Sequence, residues 1–349
     1  MSAYLPVVLP ALIKILVIVT VVMTGVAYAT LAERRVSAFM QDRLGPNRVG
    51  PFGLFQPVAD GLKFFFKEDI VPREAYKPFY LVAPLLTLIP ALITFAVIPF
   101  GTSVTVGGST HPLVIAPGVD VGVIYLLAIS SLGVYGILLA GWSSGNKYSL
   151  MGALRAASQV ISYELGIGLA LLSVVMWVGT FDFQAIVAAQ SGGWGKVWFF
   201  LPHFLGFVVF VVSVFAETNR LPFDLPEGES EIVAGYHTEY SGLRFAMFFM
   251  GEYANMITAS AFVTLLFLGG WNLPFVDFAW FGPLWGGILS AVVFFSKIAF
   301  CMFVFIWVRW TLPRFRYDQL MNLGWKRLFP LAILNFVVMA TILVVWGRP

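Results

Sequence analysis

Eight long apolar segments dominate the sequence and leave few folds open to it. Each is near the roughly 20 residues that an α-helix needs to cross the hydrocarbon core of a bilayer. A bilayer also favours helices, because every backbone polar group inside it must find its partner within the protein. Only 11% of the residues are charged, against about 25% in soluble domains. The sequence therefore predicts one all-α, polytopic membrane domain over residues 1–349, with spans at 7–31, 79–100, 121–141, 158–179, 198–216, 246–268, 285–308 and 329–346.

The basic residues predict how these helices are oriented. Most of the 21 Lys and Arg residues lie in the connections after the first, third, fifth and seventh spans. Loops rich in Lys and Arg stay on the cytoplasmic side of a membrane. We therefore expect these four connections to be cytoplasmic and both termini to be periplasmic. The two longest are a first loop at about residues 33–78 and an acidic loop at about residues 217–245.

An amphipathic stretch in the first loop predicts a helix that lies along the membrane surface. It follows two Gly-Pro pairs, and its length of about 15 residues is too short to span a bilayer. Two interpretations are open: an anchor for the loop, or a lid over an apolar cavity at the membrane boundary. One face is apolar and the other polar, although Phe64 interrupts the division: Leu54, Phe55, Val58, Ala59, Leu62, Phe65 and Phe66 lie opposite Gln56, Asp60, Lys63 and Lys67.

The stretch from Ala216 to Glu252 is unusually acidic for a segment between apolar spans. An unpaired charge beside a bilayer costs several kcal/mol unless the group binds a proton. The stretch is therefore either a solvated loop or a set of proton-binding groups. Pro222 and Pro226 predict an extended backbone that ends the fifth span. Of the 18 acidic residues in the chain, this stretch holds Glu217, Asp224, Glu227, Glu229, Glu231, Glu239 and Glu252.

Ionisable side chains within the spans are functional candidates because they are costly there. Glu164, Glu217 and Glu252 lie at similar depths, near the cytoplasmic ends of three predicted spans. Lys297 lies near the middle of the seventh span, where it either pairs with a carboxylate, extends toward the surface or joins the acids. We predict that the acids form a polar track for protons and that the track reaches Lys297.

The cysteine and histidine content limits the chemistry of the chain itself. Cys301 is the one cysteine, and the three histidines are scattered along the sequence. One thiol cannot build an iron–sulfur cluster or a thiolate zinc site. Gly166-Ile-Gly168 lacks the third glycine of a dinucleotide-binding turn. We therefore expect no metal and no bound cofactor on this chain, so that any redox centre belongs to a partner.

Long motifs in the chain resemble one known family. They are ERRVSAFMQDRLGPNRVGPFGLFQPVADGLKFFFKEDIVP, RAASQVISYELG, AETNRLPFDLPEGESEIVAGYHTEYSGLRFAMFFMGEYANM and RWTLPRFRYDQLMNLGWKRLFPLAILN. The chain resembles, nearly end to end, the quinone-site membrane subunit of proton-pumping NADH–quinone oxidoreductase, respiratory Complex I, called the H subunit in bacteria. Its departures from relatives, such as Arg35 in place of lysine, remove no ionisable group.

The resemblance implies a role in a larger enzyme, with no complete active site on this chain alone. It implies a location in the bacterial inner membrane, quinone as substrate, and FMN and iron–sulfur clusters in partner subunits. Those partners are peripheral-arm subunits, which cover the cytoplasmic loops, and two kinds of membrane subunit, small ones and antiporter-like ones. The resemblance implies no nucleic-acid partner. The base of the quinone tunnel would be lined by Glu33, Arg34, Arg43, Lys63, Phe64, Phe223, Phe245 and Phe249. The proton path would comprise Asp224, Glu227, Glu229, Glu217, Glu164 and Glu252, to which our reading of the spans adds Lys297.

Two alternatives remain at this point. One is the membrane subunit of a related group 4 hydrogenase or ion-translocating complex, but those relatives have a poorer first loop than the run GPNRVGPFGLFQPVADGLK found here. The other is an independent secondary transporter, which favours inverted internal repeats, and no convincing repeat is present. The sequence leaves open whether the quinone is ubiquinone or menaquinone.

Overall fold

The computed structural model describes residues 5–106, 109–191, 197–274 and 276–347, and most of them are α-helical. The helices are α1 (Leu5–Met40), α2 (Gln56–Phe66), α3 (Lys77–Ile93), α4 (Gly122–Ser143), α5 (Lys147–Val178), α6 (Phe183–Ala189), α7 (Phe204–Glu217), α8 (Glu229–Ile232), α9 (Gly242–Phe267), α10 (Gly282–Thr311), α11 (Tyr317–Asn322) and α12 (Phe329–Trp346). Capping residues mark the ends of some of these helices. The side chain of Asn146 accepts a hydrogen bond from Tyr148 N at the start of α5, and Gly179 ends that helix in a left-handed conformation that glycine adopts without strain.

Each predicted span overlaps one of these helices, although residues 97–100 and 198–203 lie outside them. Six helical stretches of the described residues are long and apolar enough to cross a membrane: α1, α3 with the turn after it, α4, α5, α10, and α11 together with α12. The apolar helix α7 has only 14 residues, and α9 mixes polar with apolar side chains along its 26 residues. The fold is thus that of a helical membrane protein, while eight crossings and the side on which the termini lie stay predictions.

Helix α9 lies at the centre of the bundle. It packs against α1, α3 and α10, and every residue from Thr258 to Phe267 is buried. Because protein surrounds it, α9 can carry polar side chains, and Thr258 shares a hydrogen bond of 3.2 Å with Thr94. Neighbouring helices also approach closely: a Cβ added to Gly136 of α4 would overlap Thr87 Oγ1 of α3. Only glycine permits that contact.

The connections after α1, α4, α7 and α10 meet at one end of the bundle, which we call the basic end. Tyr76 N donates to Ser143 O at 2.8 Å, and Phe315 N donates to Pro222 O at 3.0 Å. These are the connections in which most Lys and Arg residues lie. The end away from them is called the opposite end. The basic loops therefore lie together, as the sequence predicts, and the assignment of this end to the cytoplasm stays a prediction.

Several local features differ from the expectations. The strands β1 (Val104–Val106) and β2 (Ser109–His111) form a short antiparallel hairpin between the second and third predicted spans, for which the sequence predicts no secondary structure. The extended backbone expected between Pro222 and Pro226 is also wrong. α7 does end at Glu217, but the following segment forms turns, because Phe223 N donates to Arg220 O at 2.8 Å.

Candidate functional site

An apolar cavity of about 460 Å³ lies at the basic end, between α1, α2, α9 and α10. Charged side chains form only a part of its wall. A cavity with mostly apolar walls and a few polar groups is the usual form of a site for an organic ligand. Its lining residues are Met23, Val26, Ala27, Thr30, Glu33, Arg34, Ser37, Pro57, Asp60, Gly61, Phe64, Leu243, Phe245, Ala246, Phe249, Met250, Tyr253, Arg309 and Trp310.

The carboxylate of Glu33 is the centre of a buried ion network at the wall of this cavity. Its Oε1 accepts a hydrogen bond from Arg309 Nη1 at 2.5 Å. Its Oε2 accepts from the Tyr253 hydroxyl at 2.8 Å and lies 3.3 Å from Arg220 Nη1. Both Glu33 and Arg220 are buried. A buried charge is tolerated only when it is paired and hydrogen-bonded, and Glu33 meets both conditions.

Arg220 extends this network to a second acid. Its Nε lies 2.7 Å from Glu252 Oε1, and its guanidinium lies 4.4 Å from the centre of the Tyr253 ring. Burial opposes the charge, but the carboxylates of Glu252 and Glu33 more than offset it and hold the pKa of Arg220 above its usual value. The arginine therefore stays charged and links a cavity-lining acid to an acid of the predicted proton path.

The acidic loop forms a neighbouring cluster. Asp224 Oδ2 accepts a hydrogen bond from Arg314 Nη2 at 2.7 Å. Burial and the charge of Glu227 nevertheless raise the pKa of Asp224 to about 7. For Glu227, burial acts in the same direction, but the imidazole of His237, whose Nε2 lies 3.4 Å from Glu227 Oε1, outweighs it and lowers the pKa. Two neighbouring acids of the loop therefore differ in their affinity for protons, as is common among coupled ionisable groups at functional sites.

The loop is docked on α5 rather than surrounded by solvent. Arg155 Nη1 donates to Glu231 Oε2 at 2.6 Å, and Asn146 Nδ2 donates to Glu239 Oε1 at 2.6 Å. Asp224 is buried. The interpretation as a wholly solvated loop is therefore wrong for the described side chains. Glu231 and Glu239 attach the loop to its neighbours, whereas Asp224 interacts electrostatically with Glu227.

A backbone contact makes this docking close. A Cβ added to Gly152 of α5 would lie 2.8 Å from Gly235 Cα, and one added to Gly235 would overlap Pro226 O. Gly235 also has a φ of 63°, which favours glycine. Gln159 of α5 holds the other side of the loop, because its amide donates to Ala216 O at 2.7 Å and to Phe223 O at 2.8 Å.

The remaining acids of the predicted path lie deeper along α5 and α7. Glu164 accepts a hydrogen bond from the Ser131 hydroxyl. Glu217 lies beside Ser130 and within electrostatic range of Glu164. A small cavity of about 50 Å³ adjoins Glu217 and is lined in part by polar groups, among them Ser130 and Asn255. A polar space of this size can hold ordered water.

Lys297 lies apart from these acids. Its ammonium donates to the carbonyls of Leu268, Gly270 and Asn272 at 2.6, 2.8 and 2.6 Å. These carbonyls follow the end of α9 that points to the opposite end, whereas Glu252 lies in the half of α9 nearer the basic end. No carboxylate of the described residues pairs with Lys297, so the interpretation that it pairs with a carboxylate is wrong. The predicted continuation of the acid track to Lys297 has no contact to support it.

The structure gathers most of the predicted tunnel residues but separates three of them from the cavity. Glu33, Arg34, Phe64, Phe245 and Phe249 line it. By contrast, the ring of Phe223 packs between Tyr163 and Phe315. The other two, Arg43 and Lys63, are exposed and do not line it. Glu229 falls in α8, and its side chain lies outside the described part of the chain.

Sequence reasoning missed the partners that hold the acids. Arg309 and Arg314 were counted only as charges that orient the membrane helices, and Tyr253 was not considered. One signal was available: acids predicted beside a membrane need nearby donors, and both arginines follow the end of an apolar span. Among the described residues, no group of three or more His, Cys, Asp or Glu side chains is arranged to hold a metal.

Comparison with known proteins identifies the family. The sequence profile of the NADH dehydrogenase family matches residues 13–340. The NADH-quinone oxidoreductase H subunit of Leptospira biflexa is 52% identical over 336 residues, which are 94% of this chain and 92% of that protein. An H subunit of the same enzyme from Koribacter versatilis, numbered 2 in that organism, is 49% identical over 95% of this chain and 96% of its own length. The H subunit from Rhodospirillum rubrum is 50% identical over 96% and 95%. The chain therefore belongs to the NADH dehydrogenase family, as an H subunit of NADH–quinone oxidoreductase, which carries no complete active site alone.

Proposed function

We propose that this chain forms the membrane base of the quinone site in a bacterial NADH–quinone oxidoreductase and couples quinone reduction to proton translocation. In this proposal the basic end faces the cytoplasm, and peripheral-arm subunits that hold FMN and iron–sulfur clusters cover it. The chain itself supplies a binding cavity and ionisable groups. Electrons reach the quinone from the partners, and protons reach it or leave it through side chains of this chain.

The observation that carries the proposal is that the apolar cavity and the buried ion network share a wall, since Glu33 and Arg309 belong to both. Apolar walls suit the polyprenyl tail of a quinone, and Phe64, Phe245 and Phe249 supply aromatic contact. The polar part of the same wall, Glu33 with Arg309, suits a headgroup that accepts charge. One cavity thus offers both chemistries that a long-tailed quinone requires.

The ion network supplies a physical route from quinone charge to the acids. Reduction places negative charge near Arg309, where it competes with Glu33 for the same guanidinium. Any change at Glu33 acts on Arg220, which also pairs with Glu252. The charge of Arg220 in turn lowers the pKa of both Asp224 and Glu227. Quinone chemistry can therefore alter the proton affinity of the loop, and Glu217 and Glu164 lie beyond it along α7 and α5.

Substitutions of two adjacent phenylalanines in α2 test whether the cavity binds quinone. Phe64 lines the cavity, whereas Phe65 is 70% exposed on another side of the helix. We expect Phe64→Ala to raise the KM for long-tailed quinone roughly three- to tenfold, the cost of one aromatic contact. Phe65→Ala is the matched control and should change it little. Reduction of ferricyanide by NADH, which needs no quinone, monitors assembly in both variants.

One result from these two variants would contradict the proposal. Equal KM values for Phe64→Ala and Phe65→Ala, with ferricyanide reduction intact, would show that the long-tailed quinone does not use this cavity. A short-tailed quinone should respond less than the long-tailed one, because fewer apolar contacts are at stake.

A further inference from the structure

Helix α9 ends beside the middle of another helix, well inside the bundle. α10 has 30 residues, and at 1.5 Å per residue Lys297 lies about 21–23 Å from either of its ends. Lys297 nevertheless contacts the segment that directly follows α9. There the chain turns through Gly269 and Gly270, which have φ values of 71° and 55°. A helix end leaves carbonyls without intrahelical partners, and inside a bilayer such groups must be satisfied by protein.

Three carbonyls of the segment that follows α9 converge on one ammonium group. Leu268 O, Gly270 O and Asn272 O lie 2.6 to 2.8 Å from Lys297 Nζ. An ammonium has three N–H donors, so these three bonds use all of them. The ring of Trp198 lies 4.4 Å from the same nitrogen, where its π-face stabilises a cation. Neutral oxygens and an aromatic ring thus surround the charge, and no carboxylate of the described residues neutralises it.

The carbonyls are held in place by groups other than the lysine. Gln190 is buried, and its Oε1 accepts hydrogen bonds from Phe199 N at 3.2 Å and Gly269 N at 2.9 Å. Asn272 Nδ2 donates to Val187 O at 3.3 Å. The ring of carbonyls therefore has supports on α6 and on the segment before α7. These supports keep the three carbonyls near one another, and the ammonium holds the ring closed.

We propose that the carbonyls of Leu268, Gly270 and Asn272 form a monovalent-cation site, which the tethered ammonium of Lys297 occupies permanently. Rings of backbone carbonyls replace the hydration shell of K⁺ in selective channels, and an ammonium ion has nearly the size of K⁺. A cavity of about 860 Å³ at the opposite end is lined by Gln190, Trp198 and Asn272. It offers free cations a path to the site. Lys297 then serves to close the end of α9, not to relay protons.

The test replaces the ammonium and supplies free cations instead. Lys297→Met keeps an unbranched side chain, one atom shorter and without the ammonium, and vacates the site in the assembled membrane complex. Hydrogen–deuterium exchange is measured for the peptide that contains residues 268–272, in equal concentrations of choline chloride, KCl or NH₄Cl. In choline we expect exchange at least about tenfold faster than in the unaltered protein, because the segment opens locally. KCl and NH₄Cl should restore slow exchange in the variant and have no effect on the unaltered protein.

Two further variants make each outcome decisive. Lys14→Met removes an ammonium that contacts one carbonyl, Val114 O at 3.3 Å, and should leave exchange of residues 268–272 unchanged in every salt. Lys297→Gln keeps N–H donors without charge and, if Lys297→Met does not assemble, should still exchange faster than the unaltered protein. Exchange in Lys297→Met that is the same in choline and in KCl would overturn the cation site. So would unchanged exchange in Lys297→Gln, or loss of proton pumping with residues 268–272 as protected as before.

Discussion

At the scale of single residues, burial decides which ion pairs matter. Arg34 and Asp60 form a pair of 2.6 Å with side chains 50% and 24% exposed. The pair of Glu33 and Arg309 is similarly short at 2.5 Å, but the Glu33 side chain is only 8% exposed. Exposed pairs contribute about 0–1 kcal/mol. Removal of one partner from a buried pair costs about 3–5 kcal/mol, because the other charge is left without compensation.

This contrast predicts a large difference between two neutralising substitutions. Glu33→Gln leaves Arg220 and Arg309 without a shared carboxylate, so we expect loss of assembled complex or a clear fall in its thermal stability. Asp60→Asn should change stability by no more than about 1 kcal/mol. The yield and thermal inactivation of ferricyanide reductase in membranes measure both. Similar values for the two variants would show that the Glu33 network contributes no more than a surface pair.

The proton held by Asp224 gives a second prediction at this scale. Its pKa is raised from 3.8 to about 7 by burial and by Glu227. Between these two values the folded protein binds a proton that the unfolded chain releases, so the contribution of this group to stability falls as pH rises from about 4 to 7. A carboxylic-acid C=O band should be present in the infrared spectrum at pH 6 and disappear with a midpoint near 7.

The substitution Asp224→Asn assigns this band. It should remove the band and lower quinone reductase and pumping together, because it keeps the shape of the side chain and abolishes titration. Glu231→Gln, at a carboxylate that pairs with Arg155 and is 39% exposed, should retain the band and most of the activity. A band that persists in Asp224→Asn would place the proton on another group.

At the scale of elements, the acidic loop depends on its glycine contact with α5. Gly152→Ala puts a methyl group 2.8 Å from Gly235 Cα, Pro226 O and Tyr236 N, all of them backbone atoms that cannot move aside individually. We expect it to displace the loop and lower quinone reductase at least about tenfold, since misplacement of about 1 Å can cost a hundredfold in rate. Gly168→Ala on the same helix meets nothing within 4 Å and is the control. If both variants kept full activity, loop position would not limit turnover.

The elements also show what the sequence can and cannot predict. Apolar runs mark the positions of the long helices, because a bilayer demands them wherever they occur. The short α6 and α11 and the hairpin β1–β2 have no comparable signal. For α2, the apolar face predicted a surface helix. The side that lines the cavity instead carries Pro57, Asp60, Gly61 and Phe64, because a pattern of polarity does not reveal which neighbour a face meets.

The same limit applies to the candidate site. The depth of an acid in a span can be read from the sequence, and Glu252 does lie at the ion network, paired with Arg220. The partners of such acids cannot be read in this way, since Arg220 and Arg309 join Glu33 only through the packing of distant helices. Lys297 shows the converse: its depth suggested a proton carrier, whereas its contacts are three backbone carbonyls.

At the scale of the whole molecule, the positive charges at the basic end predict its orientation. We expect the C-terminus and the connection after α5 to be periplasmic, and the connection after α4 to be cytoplasmic. Alkaline phosphatase fused to the C-terminus should be active, and a fusion after Lys147 should be inactive, with green fluorescent protein showing the reverse pattern. Active phosphatase at Lys147 would show the opposite orientation, with the cavity on the periplasmic side, away from NADH.

The ion network also draws its members from nearly the whole length of the chain, and this sets an order for biogenesis. Glu33 is synthesised early, whereas Arg220 and Arg309 follow it by 187 and 276 residues. Until α10 has left the ribosome, Glu33 has no Arg309 and must stay hydrated or protonated, because the membrane interior does not tolerate it alone. The cavity wall is therefore among the last parts to close, and a nascent chain arrested before Arg309 inserts its helices without completing a site.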